Sequence, residues 1–287
     1  MSSKRSTYTS DPNAVAQVLS ATHADPFGFL GLHQNPTGSG FVLRVFRPES
    51  RRVIVHPEVG QEVEMTRIDP AGFYEAVFSD REEDFGYLLT YEYPDNEIGP
   101  VPDVYHYGPI FGEQDLHFFG EGNHRHLWKV MGAHVKKIGD FEGTTFAVWA
   151  PNAHRVSVVG DFNAWDGRVH PMRNQNGVWE IFIPGITNGE HYKFEIVGAE
   201  GNLFNKSDPY AFFSQHGTQT ASITYDLNRY VWNDDEWMKK RGESDPYHGP
   251  MSIYEVHLGS WKRRFEEENR FLTYLELADE LVDYVVD

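Results

Sequence analysis

From about residue 22 to residue 227, apolar and polar positions alternate over short runs that Gly, Pro, Asn and Asp interrupt. That is the pattern of half-buried strands joined by tight turns, and it predicts β-sandwich modules rather than alternating strands and helices. The two ends read differently. Ser10-Asp11-Pro12 offers a capping side chain and a proline in the first turn, and Val15, Val18 and Leu19 follow at helical spacing. Near the other end, Ser252–Leu258 reads as a strand that Gly259 terminates. From Thr273 to Val285 the apolar residues Leu275, Ala278, Leu281, Val282 and Val285 fall on one helical face, with Thr273 and Glu276 placed for a capping box.

The strand region contains a repeat. Residues 46–55, FRPESRRVIV, match residues 149–158, WAPNAHRVSV, at an offset of 103. Gly72-Phe73-Tyr74-Glu75 matches Gly177-Val178-Trp179-Glu180 at an offset of 105, and at that offset Tyr87 falls on Tyr192, Leu89 on Phe194 and Asp103-Val104-Tyr105 on Asp208-Pro209-Tyr210. Several matches in order with one two-residue slip predict tandem modules, about 22–111 and 140–227. The leading helix belongs with the first, so that the chain divides into 1–111, a connecting segment 112–139, a second module 140–227 and a final stretch 228–287.

The copies differ at one loop. GDFNAW at 160–165 corresponds to HPEVGQ in the first copy, and Lys193 to Leu88. Only the second copy therefore carries a tryptophan, Trp165, where turn chemistry dominates; a flat indole there is either a lid on the core or a platform for stacking. The connecting segment holds His117, His124, His126 and His134, with His106 just upstream. Imidazole ligates metals, but the spacing fits no metal motif, and Leu127, Val130 and Met131 recur at helical spacing, so a packed connecting helix is expected.

Composition narrows the partners. Across 287 residues there are 43 Asp and Glu against 25 Lys and Arg, a formal charge of −18, which disfavours nucleic acid and anionic membrane surfaces. A neutral sugar is indifferent to that charge, and 7 Trp and 15 Tyr suit sugar stacking as well as β cores. There is no cysteine, no signal-like apolar stretch and no run of transmembrane length, so a cytoplasmic location is expected.

Three stretches carry a family resemblance. TFAVWAPNAHRVSVVGDFNAWDG, continuing through GVWEIFIPG, GEHYKFEI and KSDPYAF, resembles a family-48 carbohydrate-binding module, the β-sandwich found beside α-glucan enzymes. HADPFGFLGLH at 23–33 resembles the opening of the extra N-terminal module of glycogen branching enzymes, and SIYEVHLGSWKR at 252–263 the start of their catalytic barrel. The resemblance implies a mainly β chain of two immunoglobulin-like sandwiches followed by the first βα unit of a (β/α)8 barrel. It also implies an enzyme that cleaves an α-1,4 bond of a glucan and transfers the segment to a 6-hydroxyl with retention. Retention requires two carboxylates about 5–5.5 Å apart. The family's catalytic motifs do not occur in these 287 residues, so no catalytic residue is named and the chain is expected to bind glucan at most. The acids Glu276, Asp279, Glu280 and Asp283, and the run Glu266–Glu268, read as solvated surface.

Within the family-48 pattern the glucan-contacting positions fall on Trp165, Lys193, and Phe204 or the neighbouring Leu203; the last position departs from the family's Trp. Packing of Trp165 against a catalytic domain stays open beside glucan contact. No cofactor or metal is implied, and the partner is an α-glucan. A stand-alone glucan-binding protein, or the front end of a debranching or trehalose-releasing relative, are the alternatives. The chain stops one βα unit into the expected barrel, which reads as a truncation and leaves Ile253, Val256 and Leu258 without strand partners.

Overall fold

The computed structural model describes residues 9–286, which form two compact units, up to Arg229 and from Tyr230 onward. The protein is mainly β. In the first module a helix, α1 (Pro12–Leu19), is capped by the Asp11 carboxylate, which accepts from the backbone N–H groups of Asn13 and Ala14. Eight strands follow: β1 (Gly31–Gln34), β2 (Phe41–Phe46), β3 (Arg52–Pro57), β4 (Val63–Glu64), β5 (Thr66–Asp69), β6 (Phe73–Phe78), β7 (Tyr87–Glu92) and β8 (Glu97–Pro102). They make two antiparallel sheets, ordered β1-β2-β6-β5 and β4-β3-β7-β8. Leu43, Val45, Tyr74 and Ala76 of one meet Val53, Val55, Leu89 and Tyr91 of the other. Each such side chain contributes roughly 1.5–3 kcal/mol on burial.

Strand β2 is buried on both faces, because α1 lays Val15 and Val18 over Leu30, Phe46 and Phe73 on the outer side. The second module repeats this plan. Helix α2 (Glu113–Gly120) precedes β9 (Gly132–Ile138), β10 (Phe141–Trp149), β11 (Ala153–Gly160), β12 (Arg173–Gln175), β13 (Val178–Pro184), β14 (His191–Gly198), β15 (Leu203–Lys206), β16 (Phe213–Ser214) and β17 (Ser222–Ile223). The sheets run β12-β13-β10-β9 and β11-β14-β17-β16, with β15 also paired to β14. Phe146, Val148, Trp179 and Ile181 face Val156, Val158, Tyr192 and Phe194.

The expected connecting segment 112–139 belongs to the second module: β9 pairs along its length with β10, from Gly132 opposite Ala147 to Ile138 opposite Phe141. Its helix lies at 113–120, whereas Leu127–Lys129 make only a short 3₁₀ turn. Leu116, Phe119, Leu127 and Val130 pack on Phe111, Met131, Ala147 and Val178, covering the outer face as α1 does in the first copy. The modules meet directly: Val104, Tyr105 and Phe27 join the second core, and the Tyr107 and Phe182 rings lie 4.6 Å apart.

The second unit contains α3 (Asp235–Glu243), α4 (Leu258–Trp261), the two-stranded β18 (Arg263–Arg264) and β19 (Arg270–Phe271), and α5 (Tyr274–Val286). The strand expected at Ser252–Leu258 does not form; Leu258 opens α4, and Ile253 is 86% exposed. A strand needs a neighbour for its N–H and C=O groups, and no described strand pairs with this segment. The capping box at α5 is present, Glu276 N–H donating to Thr273 Oγ1 at 3.3 Å and Thr273 N–H to Glu276 Oε2 at 2.8 Å. Its buried side is not the expected stripe. Leu277 packs inward while Leu275, Val282 and Val285 are exposed, because Glu276 and Glu280 turn that side toward Arg264, Arg270 and Lys262.

Candidate functional site

After β11 the chain makes a 3₁₀ turn over Asp161–Asn163, and the Asn163 side chain holds it in place. Its Oδ1 accepts from Gly160 N–H at 2.9 Å, while its Nδ2 donates to the Val158 carbonyl at 2.9 Å and to His170 Nδ1 at 3.0 Å. Ala164 and Trp165 then adopt left-handed backbone, φ 52° and 60°. That conformation costs roughly 1–2 kcal/mol per residue for a side chain larger than glycine. It closes the loop through Trp165 N–H to the Gly160 carbonyl at 3.0 Å. At Gly167 the loop lies close to the Glu195 carboxylate: a Cβ there would lie 1.8 Å from Glu195 Oε1, so a larger residue would displace that side chain.

The strain fixes where the indole goes. Trp165 Nε1–H donates to Asp161 Oδ1 at 2.9 Å, and Asp161 Oδ2 pairs with His191 Nδ1 at 3.0 Å. These hydrogen bonds, the indole's first, hold the Asp161 carboxyl below the usual carboxylate range. Trp165 is 39% exposed, so the ring is anchored at its polar edge and open to solvent elsewhere.

Strand parity decides which other residues share that face. On β14, Tyr192 and Phe194 point into the core, so His191, Lys193, Glu195 and Val197 point outward. Lys193 Nζ donates to Thr220 Oγ1 at 2.8 Å. On β15, Leu203 lies opposite Val197 and Phe204 opposite Ile196, so Leu203 shares the outward face and Phe204 the other. The structure thus brings Trp165, Lys193 and Leu203 to one side of the sheet and separates Phe204, whose ring lies 5.6 Å from Lys206 Nζ. Beside them Arg155 donates to Glu195 at 2.5 Å and to the Gly167 carbonyl at 2.7 Å, tying the loop to the strands.

Asp161 and His191, which position the indole, were not singled out from the sequence. Each is an ordinary polar residue until the loop folds back onto β14, and no spacing announces that contact. The histidines of the connecting segment disperse: His124 pairs with Asp115, His117 with Glu121, and His134 bonds the Met131 carbonyl. Among the described residues no three His, Asp or Glu side chains converge as metal ligands do. Of the acids of α5, Glu276 and Glu280 are ion-paired, whereas Asp279 and Asp283 are exposed. Hydrogen bonds from Arg270 to Glu276 and from Lys262 to Glu280 hold both carboxyls below their usual range, the wrong direction for a general acid. No described helix is long and apolar enough to cross a membrane.

Comparisons with known proteins match two stretches of the chain. Residues 11–105 match the family described as alpha-1,4-glucan branching enzyme GlgB, N-terminal domain, and residues 130–211 match carbohydrate-binding module 48 (isoamylase N-terminal domain). The 1,4-alpha-glucan branching enzyme GlgB of Myxococcus xanthus (strain DK1622) is 46% identical over 273 residues, covering 94% of this chain and 37% of that protein. The GlgB of Rubrobacter xylanophilus (strain DSM 9941) is 47% identical over 274 residues, 95% of this chain and 37% of its own length. The chain spans little more than a third of these relatives, and it corresponds to the N-terminal portion of the 1,4-alpha-glucan branching enzymes named GlgB.

Proposed function

We propose that these residues are the glucan-binding front end of a 1,4-alpha-glucan branching enzyme, and that the outward face of β11, β14 and β15 holds the glucan. The observation that carries this reading is the anchored indole. A glucose ring has an apolar face and a rim of hydroxyls. The Trp165 ring offers a flat apolar surface, and Lys193 on the same side offers a donor that can leave Thr220 for a sugar hydroxyl. Because Trp165 is already fixed through Asp161 and His191, little side-chain freedom is lost on binding. Leu203, on the same face, takes the third position, and Phe204 stands apart.

On this reading the sheets are immunoglobulin-like, and residues 252–286 correspond to the opening βα unit of the enzyme's barrel. Cleavage of the α-1,4 bond and transfer to a 6-hydroxyl belong to a carboxylate pair about 5–5.5 Å apart that lies outside residues 1–287. The chain binds and presents glucan without catalysing branching.

The test is glycogen co-sedimentation of the 287-residue chain beside Trp165→Ala, with circular dichroism to verify folding and an iodine branching assay on the same samples. Retention should fall about tenfold or more in the variant, roughly 1.4 kcal/mol or more of lost affinity, with no branching by either protein. Equal retention by both would make Trp165 a residue that packs against another domain.

A further inference from the structure

The loop that presents Trp165 has a second side. Phe162, Asp166 and His170 line a cleft of about 590 Å³, and Arg47, Tyr91 and Tyr93 of the first module form the opposite wall. Sites for small organic ligands typically enclose about 300–1,000 Å³. Val101 and Ile186 add aliphatic surface from either module, so the cleft exists only because the two modules are docked.

Two polar side chains, His170 and Arg47, line it. His170 is only 4% exposed, and its Nδ1 accepts from Asn163 Nδ2. The Asn163 amide is oriented by its bonds to Gly160 and Val158, so the neutral ring carries its proton on Nε2, which has no hydrogen-bond partner among the described residues. Arg47 lies over the Tyr91 ring, 4.5 Å to its centroid, and forms no ion pair with a described carboxylate.

We infer that this cleft is a second carbohydrate site, taking a short neutral oligosaccharide of roughly two or three hexose rings, distinct from the Trp165 face. The aromatic rings of Tyr93 and Phe162 meet the apolar sugar faces, His170 Nε2–H and Arg47 donate to hydroxyl oxygens, and the Asp166 carboxylate accepts. A neutral ligand fits better than a phosphorylated one. Glu49 borders the cleft beside Asp166, whose carboxylate is already paired with Arg168, and an added phosphate would face the Glu49 charge.

The experiment is calorimetric titration of the whole chain with maltotriose, and separately with glucose 1-phosphate. The variants are His170→Asn, which keeps an acceptor where Nδ1 sits, Arg47→Met, which keeps an apolar stem over Tyr91, and Trp165→Ala. Two maltotriose sites are expected in the parent and one in Trp165→Ala; in His170→Asn or Arg47→Met one site should weaken about tenfold. Loss of all binding in Trp165→Ala alone, or unchanged binding in both cleft variants, would overturn the cleft site. Tenfold tighter binding of glucose 1-phosphate than of maltotriose would overturn the neutral ligand. Two sites that persist in Trp165→Ala but drop to one in His170→Asn would sink the Trp165 reading and leave the cleft standing.

Discussion

In the first module Tyr87 donates to Asp103 Oδ2 at 2.8 Å, and Asp103 Oδ1 accepts from Tyr105 N–H at 3.2 Å. In the second, Tyr192 donates to Asp208 Oδ2 at 2.5 Å, and Asp208 Oδ1 accepts from Tyr210 N–H at 2.8 Å. The same clamp recurs at an offset of 105 residues, and its fit recurs too, with the glycines 101 apart: a Cβ on Gly31 or Gly132 would come within 2.8 or 2.9 Å of the Tyr105 or Tyr210 Cβ. The loop after the third strand of each copy does not recur. The first copy turns quickly from β3 into β4, while the second spends residues 161–172 on a stapled loop with two left-handed positions and an anchored tryptophan. What is repeated is what each sandwich needs to close, and what is not repeated is the loop on which the proposed glucan site rests. The first copy instead contributes a wall to the intermodule cleft.

The largest test of that division falls on a buried acid shared by both copies. Glu75 accepts from Thr9 N–H and Ser10 Oγ and lies 3.7 Å from the buried Arg44; Glu180 accepts from the N–H groups of Ile110 and Phe111 and from Gln175. Each acid therefore fastens the segment leading into its own module onto the outer sheet. Glu75→Ala leaves Arg44 buried without its partner and should cost about 3–5 kcal/mol in urea unfolding. Glu180→Ala orphans two amides beside the partly exposed Arg173, at about 1–3 kcal/mol for each amide, and the Phe111 amide should lose protection in hydrogen exchange. If either substitution proved neutral, the two copies would not share this latch.

Next in size is the clamp. Tyr87→Phe and Tyr192→Phe each remove one hydrogen bond to a buried carboxyl whose pKa burial already raises, and each should lose about 1–3 kcal/mol. Similar losses are expected, since both carboxyls keep their backbone donor. A marked inequality would mean that the repeat preserves geometry without preserving energetics.

Most of the strand plan was legible because burial on one face writes a period of two into the residues, and duplication wrote it twice. The α1 cap and the α5 capping box were legible because they depend on neighbours within four positions. Contacts that close across the fold were not. Strand β9 hid in the expected linker because its partner β10 decides its fate, and the segment at 252–258 reads as a strand yet has no described strand to pair with. At the candidate site, Trp165 and Lys193 stood out as differences between copies. That Leu203 and Phe204 fall on opposite faces of the sheet needed the β14–β15 register, and Asp161, His191 and the cleft needed the folded loop.

The smallest effect concerns His170, whose staple to Asn163 has no part in the first module's loop. Burial, and then the nearby Arg47 cation, hold its pKa well below the ordinary value, so the ring is neutral in the fold. The unfolded chain binds that proton near pH 6.5, before the fold does. This contribution to stability is therefore complete above about pH 6.5 and is lost at about 1.4 kcal/mol per pH unit below it. Asp103, Asp208 and Glu180 act in the opposite sense at lower pH, because their raised pKa values let the fold take up protons first. The informative quantity is then the difference between the parent and His170→Asn, followed by urea unfolding at half-unit steps from pH 7.5 to pH 5.5. The parent should lose stability over the lower part of that range while the variant stays flatter. Parallel curves would show that the ring is protonated as readily folded as unfolded, and the assignment of a neutral Nε2–H donor to the cleft would fall with it.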